Sequence, residues 1–367
     1  MPLTDHAVAL DLPVERIDFT RLGGSTRLAE VVTVVPSKLW KDVEKQLAKS
    51  ITEIAKGLPE GKLQVGLSVF NIPITPAKLN ASGLTLKKIL RGRTDRSVRL
   101  TPNPELELNT AQVLHNKLTG PTGVEMLVIA QPDGQTLLAR TRAVQDIDSY
   151  TLRDRGRPKR DARVGMLPPK LAQIIINLAA GPADPADLTV LDPFCGTGVI
   201  LQEAGLMGMK VYGTDFEPRM LDYSEKNLAW LQEKFGTAFS VTIERGDATT
   251  HDWQPGVTTV AGETYLGRPF TERPSPEVLA QTVSEVNLIL KRFLTHIATQ
   301  LPSGSRLCLG VPAWQISPDR FKHLPLIDQI ESLGYNQVRF EHAPLSQLLY
   351  YREDQIVARQ LLVVTRK

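Results

Sequence analysis

Asp192, Phe194, Cys195, Gly196 and Gly198 lie in one run, Asp192-Pro193-Phe194-Cys195-Gly196-Thr197-Gly198, between the apolar stretch Leu188 to Leu191 and a helical pattern opening at Val199. The pattern reads as strand, tight loop, helix. Two glycines let the backbone approach a ligand and take φ angles that a Cβ resists. A second β-prone run, Lys210 to Gly213, stops at Asp215, roughly twenty positions after the loop, where an acid is placed to bind ribose hydroxyls. The loop has G-x-G without the third glycine of dinucleotide sites, and Asp192 stands where a pyrophosphate would need backbone NH groups and no carboxylate. The expected ligand therefore carries no phosphate, a cationic amino-acid end near Asp192 and a ribose near Asp215. S-adenosylmethionine (SAM) has both ends.

Further candidates follow at the ends of later strands. Phe216 is placed either to stack on an adenine or to pack in the core, and Asp247, after a strand read at Ser240 to Glu244, either accepts an adenine amino group or closes a turn. The loop after the strand Thr258 to Ala261 is where chemistry is expected, because ligands of open α/β sheets meet the carboxyl ends of strands. Sites that methylate an exocyclic amine place D-P-P-Y or N-P-P-Y there, to accept the amine hydrogens, stack on the base and aim the nitrogen lone pair. This chain has Gly262-Glu263-Thr264-Tyr265-Leu266-Gly267. One register makes Glu263 the acid and puts Leu266 in the aromatic place; the other keeps Tyr265 and puts Gly262 where the acid belongs. Glu263 and Tyr265 are the catalytic candidates.

The D-P-F-C-G-T-G run resembles the first motif of an RNA methylase family, and Thr141 to Ala179 resembles the RD-RPxRD-GMLPPKLAQ segment of archaeal and eukaryotic tRNA guanine-N2 methyltransferases. LGGSTRLAE at Leu22 to Glu30, KLQVGLSVFN at Lys62 to Asn71 and LNTAQVLHNKLTG at Leu108 to Gly120 look like the THUMP domain of those enzymes. The resemblance implies an α/β chain with a Rossmann-like SAM-dependent methyltransferase domain preceded by a smaller α/β THUMP-like domain. It also implies tRNA as partner and the N2 amine of a guanine as target. The departure from D-P-P-Y keeps two alternatives open, a methyltransferase-like RNA-binding protein with altered or lost catalysis, and an N-methyltransferase acting on something other than RNA.

The elements that must position these residues divide the chain into a tail (1–20), a THUMP-like domain (21–150), a basic junction (151–169) and the methyltransferase domain (170–367). In the first half, strands are expected at Glu30 to Val35, Lys62 to Phe70, Ser97 to Leu100, Val124 to Ala130 and Gln135 to Arg142. Helices are expected from a Ser37 cap to about Lys56, around Leu84 to Leu90, and near Asn109 to Leu118. In the second half a helix at Lys170 to Ala179 precedes the first strand, and later elements are a strand at Ser305 to Val311, a helix at Leu326 to Leu333 and a closing hairpin around Arg352-Glu353-Asp354. In the junction Arg153, Arg155, Arg157, Lys159, Arg160 and Arg163 stand against Asp154 and Asp161, with Gly156 and Pro158 interrupting any helix. The first five are RNA-binding candidates through phosphate contacts, which position a nucleic acid without reading it.

Of 367 residues, 42% are hydrophobic and 23% charged, enough for two domains with proper cores. The net charge of +3 is too small to mark a polyanion partner by itself, so the placement of charges must carry that argument. Two cysteines give neither a disulfide framework nor zinc spacing, and six histidines show no ligand pattern, so no metal is expected. No run of apolar residues is long enough for a membrane span, and the first thirty residues lack a signal peptide's apolar core. A cytoplasmic location is expected.

Overall fold

The computed structural model describes residues 2–4, 7–161, 166–270, 272–352 and 355–367. The chain forms two compact units, one of Met1–Thr20 and Ser25–Ile147, the other of Arg21–Gly24 and Asp148–Lys367.

The first unit runs β1 (Pro2–Thr4), β2 (Ala7–Val8), β3 (Arg27–Val35), α1 (Trp40–Lys56), β4 (Leu63–Phe70), α2 (Pro76–Thr94), β5 (Val98–Leu100), α3 (Thr110–His115), β6 (Gly123–Ala130) and β7 (Thr136–Val144). Its five-stranded sheet has the order β3-β7-β6-β4-β5. Alternate residues of β4 and β6, among them Val65, Leu67, Val124, Met126 and Val128, join Val43, Leu47 and Ile51 of α1 and Leu79, Leu86 and Leu90 of α2 in one core. The other sheet face carries Leu127, Ile129, Leu137 and Ala139, and Leu3 of β1 packs on it. Residues 1–20 are thus part of this unit and no tail, because an apolar sheet face needs a cover. Ser37 does not cap α1 directly. Its hydroxyl accepts from Leu39 N at 3.0 Å and donates to Asp42 at 2.8 Å, so the helix opens at Trp40. The expected helix at 84–90 is the second half of α2, which starts earlier because Thr75 accepts from Lys78 N and Pro76 occupies the first turn.

The second unit runs α4 (Ile147–Arg155), whose first residue closes the first unit, then α5 (Pro169–Ala180), β8 (Thr189–Asp192), α6 (Val199–Leu206), β9 (Lys210–Asp215), α7 (Pro218–Phe235), β10 (Val241–Arg245), β11 (Thr259–Glu263), α8 (Pro276–Ala298), β12 (Arg306–Ser317), β13 (Arg320–Lys322), a 3-10 stretch Pro325–Leu333, β14 (Tyr335–Gln337), β15 (Leu349–Tyr350) and β16 (Val357–Arg366). Its sheet has the order β10-β9-β8-β11-β12-β16-β14, with β13 on β12 and β15 on β16. Strands β8 to β12 are parallel, and β16 lies antiparallel between β12 and β14. The chain progresses from β8 outward through β9 and β10, then returns to the other side of β8 with β11, which makes the boundary between β8 and β11 the topological switch point where such sheets bind ligands. The closing hairpin is present as β15 and β16, but β15 is two residues long, and β16 pairs along its length with β12 and over three residues with β14. Strand β14 was not expected, because three residues show no readable alternation. The hairpin tip, Glu353 and Asp354, and Arg163 of the junction lie outside the described residues.

The basic junction is built into this second unit. Arg153 Nε donates to Glu203 Oε1 of α6 at 2.7 Å, with both side chains buried. Gln173 Nε2 donates to the other Glu203 oxygen at 2.9 Å, and Tyr150 OH donates to Gln173 Oε1 at 2.5 Å. Residues Arg21–Gly24 join the same unit: Asn177 Nδ2 of α5 donates to Arg21 O at 2.7 Å, and a Cβ on Gly23 would stand 2.2 Å from Lys170 O.

Removing one partner of a buried ion pair leaves the other charge uncompensated, at a cost of about 3 to 5 kcal/mol. Arg153→Met is therefore expected to lower the urea midpoint of the second unit while leaving the first unit's transition in place, as read by fluorescence and circular dichroism on the full chain. An unmoved midpoint would show that Glu203 needs no cation.

Candidate active site at the switch point

Asp192 is the last residue of β8, and the loop after it is knitted by backbone bonds. Phe194 N donates to Asp192 Oδ1 at 3.2 Å, Cys195 N to Thr214 O at 2.9 Å and Gly198 N to Cys195 O at 2.7 Å. Gly196 N donates to Asp215 Oδ2 at 2.9 Å, and Glu217 N donates to Asp215 Oδ1 at 2.9 Å. The acid at the end of β9 therefore holds the glycine loop with one oxygen and its own turn with the other. Gly196 and Gly198 have φ of 52° and 80°, left-handed values that a side chain resists. A Cβ on Gly198 would stand 2.9 Å from Ser224 Oγ of α7, which itself donates to Gly196 O at 2.8 Å.

Three carboxylates meet here. Asp192 is 2% exposed, and burial first, then the charges of Asp215 and Glu263, push its carboxyl well above the usual range. Burial also raises Asp215, against the pull of its backbone NH donors. Burial raises Glu263, opposed by Arg359, whose Nε donates to Glu263 Oε1 at 2.8 Å. Gly262 completes the contact between β8 and β11, since a Cβ there would stand 2.6 Å from Asp192 Oδ1. The arrangement offers negative charge and bare backbone to a cationic ligand at the switch point.

The other expected residues fall into two groups. Phe216 is 67% exposed beneath the Arg245 guanidinium at 5.8 Å, so it is no core residue. Asp247 is exposed on the loop after β10, and its Oδ1 accepts from Thr249 N and Thr249 Oγ1, both at 2.8 Å. Phe194 and Cys195 turn into the interior instead. The Phe194 ring meets Phe293 of α8 edge-on at 5.2 Å, and Cys195 is buried beside Ser224, its thiol raised by burial. Their backbone shapes the loop while their side chains serve the core. Tyr265 is 46% exposed and makes no side-chain hydrogen bond among the described residues, whereas Glu263 is held by Arg359, so the structure keeps the two apart in character.

The junction needs correction too. Arg153 is consumed by Glu203, and Arg157 is buried with no hydrogen-bond partner among the described residues on its three guanidinium nitrogens, so neither presents its charge to a surface ligand. Lys159 is pinned by its backbone: Asn227 Oδ1 accepts from Lys159 N, and Asn227 Nδ2 donates to both Lys159 O and Thr197 O, each at 2.9 Å. The junction therefore abuts the glycine loop through Asn227. Arg155 and Arg160 are exposed, and Lys159 Nζ lies 5.5 Å over the Tyr223 ring. Arg359, Asn227 and Glu203 were missed by sequence reasoning. A lone arginine inside the apolar run of β16 was the available signal, since a buried charge demands a partner. Among the described residues no group of three or more His, Cys, Asp or Glu is arranged for a metal, and no helix is long and apolar enough to cross a membrane.

The left-handed φ and the Ser224 contact set the consequence of filling the loop. Gly198→Val is expected to cost at least about 1 to 2 kcal/mol from the backbone alone, read as a lowered melting temperature; an unchanged value would mean that the loop relaxes without its glycine.

Residues 157–249 match the family model described as RMKL-like, methyltransferase domain. A tRNA (guanine(10)-N2)-dimethyltransferase from Methanothermobacter thermautotrophicus is 34% identical over 150 residues, which are 40% of this chain and 39% of that protein. One of the same name from Pyrococcus abyssi is 41% identical over 83 residues, 23% of this chain and 22% of the relative. The chain thus spans well under half the length of these relatives in the matched segments. Among solved structures, TrmN from Thermus thermophilus superposes over 97% of this chain and 88% of its own with a TM-score of 0.51 at 16% identity, a likeness of fold. The residues that match this family model include the glycine loop, Asp215 and Asp247.

Proposed function

We propose that the protein methylates the exocyclic N2 amine of a guanine in tRNA with SAM as methyl donor, acting in the cytoplasm. The observation that carries the reading is the set of three carboxylates, Asp192, Asp215 and Glu263, around a loop without side chains at the switch point. SAM supplies an electrophilic methyl group on a cationic sulfur. Asp215 has both oxygens ordered by backbone donors, which leaves lone pairs for ribose hydroxyls. Asp192 and the loop face the amino-acid end, and Phe216 and Asp247 flank the adenine. Glu263 accepts a hydrogen of the target amine and Tyr265 stacks on its base. Such positioning supplies roughly a hundredfold or more in rate.

RNA as partner is supported by the names of the curated relatives and by the charge of α2. This helix carries Lys78, Lys87, Lys88, Arg91 and Arg93 and no acid, a footprint suited to phosphates. The resemblance of the first unit to THUMP domains points the same way. The second reading, a binding protein without catalysis, is favoured by the absence of prolines after Glu263. Incubating the full chain with unmodified tRNA and SAM, then analysing nucleosides by mass spectrometry, separates the two: N2-methylguanosine is expected, and its absence on every tRNA tried would favour the second.

Cofactor binding is also expected to release protons. Asp192 is pushed up by burial and by neighbouring acids, and a cation beside it favours its ionised form. Affinity should therefore rise with pH, and calorimetry in buffers of different ionisation heats should detect proton release that Asp192→Asn abolishes. Equal heats in all buffers would count against the assignment. For RNA, exchanging Arg155, Lys159 or Arg160 for Gln is expected to flatten the salt dependence of tRNA binding by roughly 0.7 to 0.9 in log-log slope for each phosphate left without its cation. An unaltered slope would mark the run as scaffold only.

A further inference from the structure

Glu263 is followed by Thr264 where amine-methylating sites carry proline, and it is one methylene longer than aspartate. Backbone rigidity thus leaves its carboxylate freer than a D-P-P-Y loop would. Another restraint is present. Arg359 Nε donates to Glu263 Oε1 at 2.8 Å, and Arg359 is itself only 6% exposed. The two residues come from β11 and β16, on either side of β12. Glu263 pairs with Gly310 of β12, and Arg359 pairs with Pro312 two positions on. The arginine reaches over β12 beside a residue without a side chain. Its Nη1 donates to Gln355 Oε1 at 3.2 Å, which fixes the guanidinium plane from the far side. Glu263 Oε2 takes no hydrogen bond among the described residues, and the side chain keeps 15% of its surface open.

We propose that Arg359 is the positioning residue that replaces the missing prolines: it holds Glu263 in one rotamer and ionised, leaving Oε2 to accept from the target amine. The assignment rests on the methyl-transfer reading. A buried carboxylate without a cation would take up a proton and lose its value as an acceptor. The charged groups acting around Glu263 are Arg359 on β16, which holds its carboxyl down, and Asp192 on β8, with which it repels. Strand β12 brings only Gly310, and α5 brings the apolar Ile175 to that glycine. In the reaction the amine nitrogen bonds to the methyl carbon as the carbon–sulfur bond breaks with its electron pair going to sulfur. The nitrogen then sheds a proton to Glu263 Oε2 or to water. An N-alkylated guanine amine is so acidic while cationic that a carboxylate paired with arginine is basic enough to receive it.

Arg359→Gln and Arg359→Lys in the full chain test this with two readouts. The first needs no activity: carbon-13 spectra of glutamate-labelled protein, with the Glu263 signal assigned through Glu263→Gln, and SAM calorimetry to verify the folded site. The Glu263 midpoint is expected to rise by about one pH unit or more in Arg359→Gln and to return towards wild type in Arg359→Lys. The second is the pH profile of N2-methylguanosine formation. Its acid limb should move by the same amount, with a loss of about tenfold for each pH unit of that movement at pH values below the wild-type midpoint, recovery at alkaline pH and unchanged KM for SAM. An unmoved carbon-13 midpoint would overturn the assignment, as would a loss equal at every pH with Lys no better than Gln. A shifted midpoint in a protein whose wild type methylates no tRNA would uphold the Arg359–Glu263 coupling and reject methyl transfer instead.

Discussion

Three carboxylates held at the ends of three neighbouring strands repel one another, and the architecture of the second unit is arranged around that repulsion. Each acid is accommodated differently. Asp215 is satisfied by two backbone NH groups from the loops it joins. Glu263 receives a guanidinium from across the sheet. Asp192 receives a single long bond from Phe194 N at 3.2 Å and has the strongest reason to stay protonated. Burial favours the protonated form of all three acids, and a cation placed beside them would favour ionisation. The glycine loop beside them presents backbone without side chains at Gly196 and Gly198.

The basic junction shows how a charge run is divided between structure and surface. Arg153 is drawn inward because Glu203, on the first helix after the loop, is buried and needs a cation. Once Arg153 and Tyr150 are locked to Glu203 and Gln173, the chain must pass the glycine loop, where Asn227 clamps Lys159 and Thr197 together. The segment is therefore tied to the glycine loop, and among its described residues Arg155, Lys159 and Arg160 are left with charge towards solvent. Arg157 is buried with no hydrogen bond to its guanidinium among the described residues, and the charges of Asp154 and Glu203 oppose the cost of that burial.

Local patterns carried much of this into the sequence. Alternation and turn residues marked β4, β6 and β7, the loop glycines marked the start of α6, and the acids at the ends of β8 and β9 fell where a parallel sheet puts them. What escaped was pairing between distant segments. Nothing near Glu263 announces Arg359, 96 residues away, because periodicity reports whether a residue faces a core and not which residue it meets there. Phe194 illustrates the same limit: an aromatic in a ligand loop reads as a contact, yet Phe293 of α8 gives it a better place. The site's frame was legible from its backbone chemistry, and its electrostatic partners were not.

Strand β16 lies inside the sheet, between β12 and β14, although it follows both of them in the chain. A ribosome adding roughly 5 to 20 residues per second emits Glu263 several seconds before Arg359, 96 positions later. Once β12 has been made, its free edge is a template for pairing with the wrong strand until β16 takes it. Until β16 pairs with β12, Glu263 lacks the arginine that favours its ionised form, so one strand-pairing event both fills that edge and sets the charge of the acid.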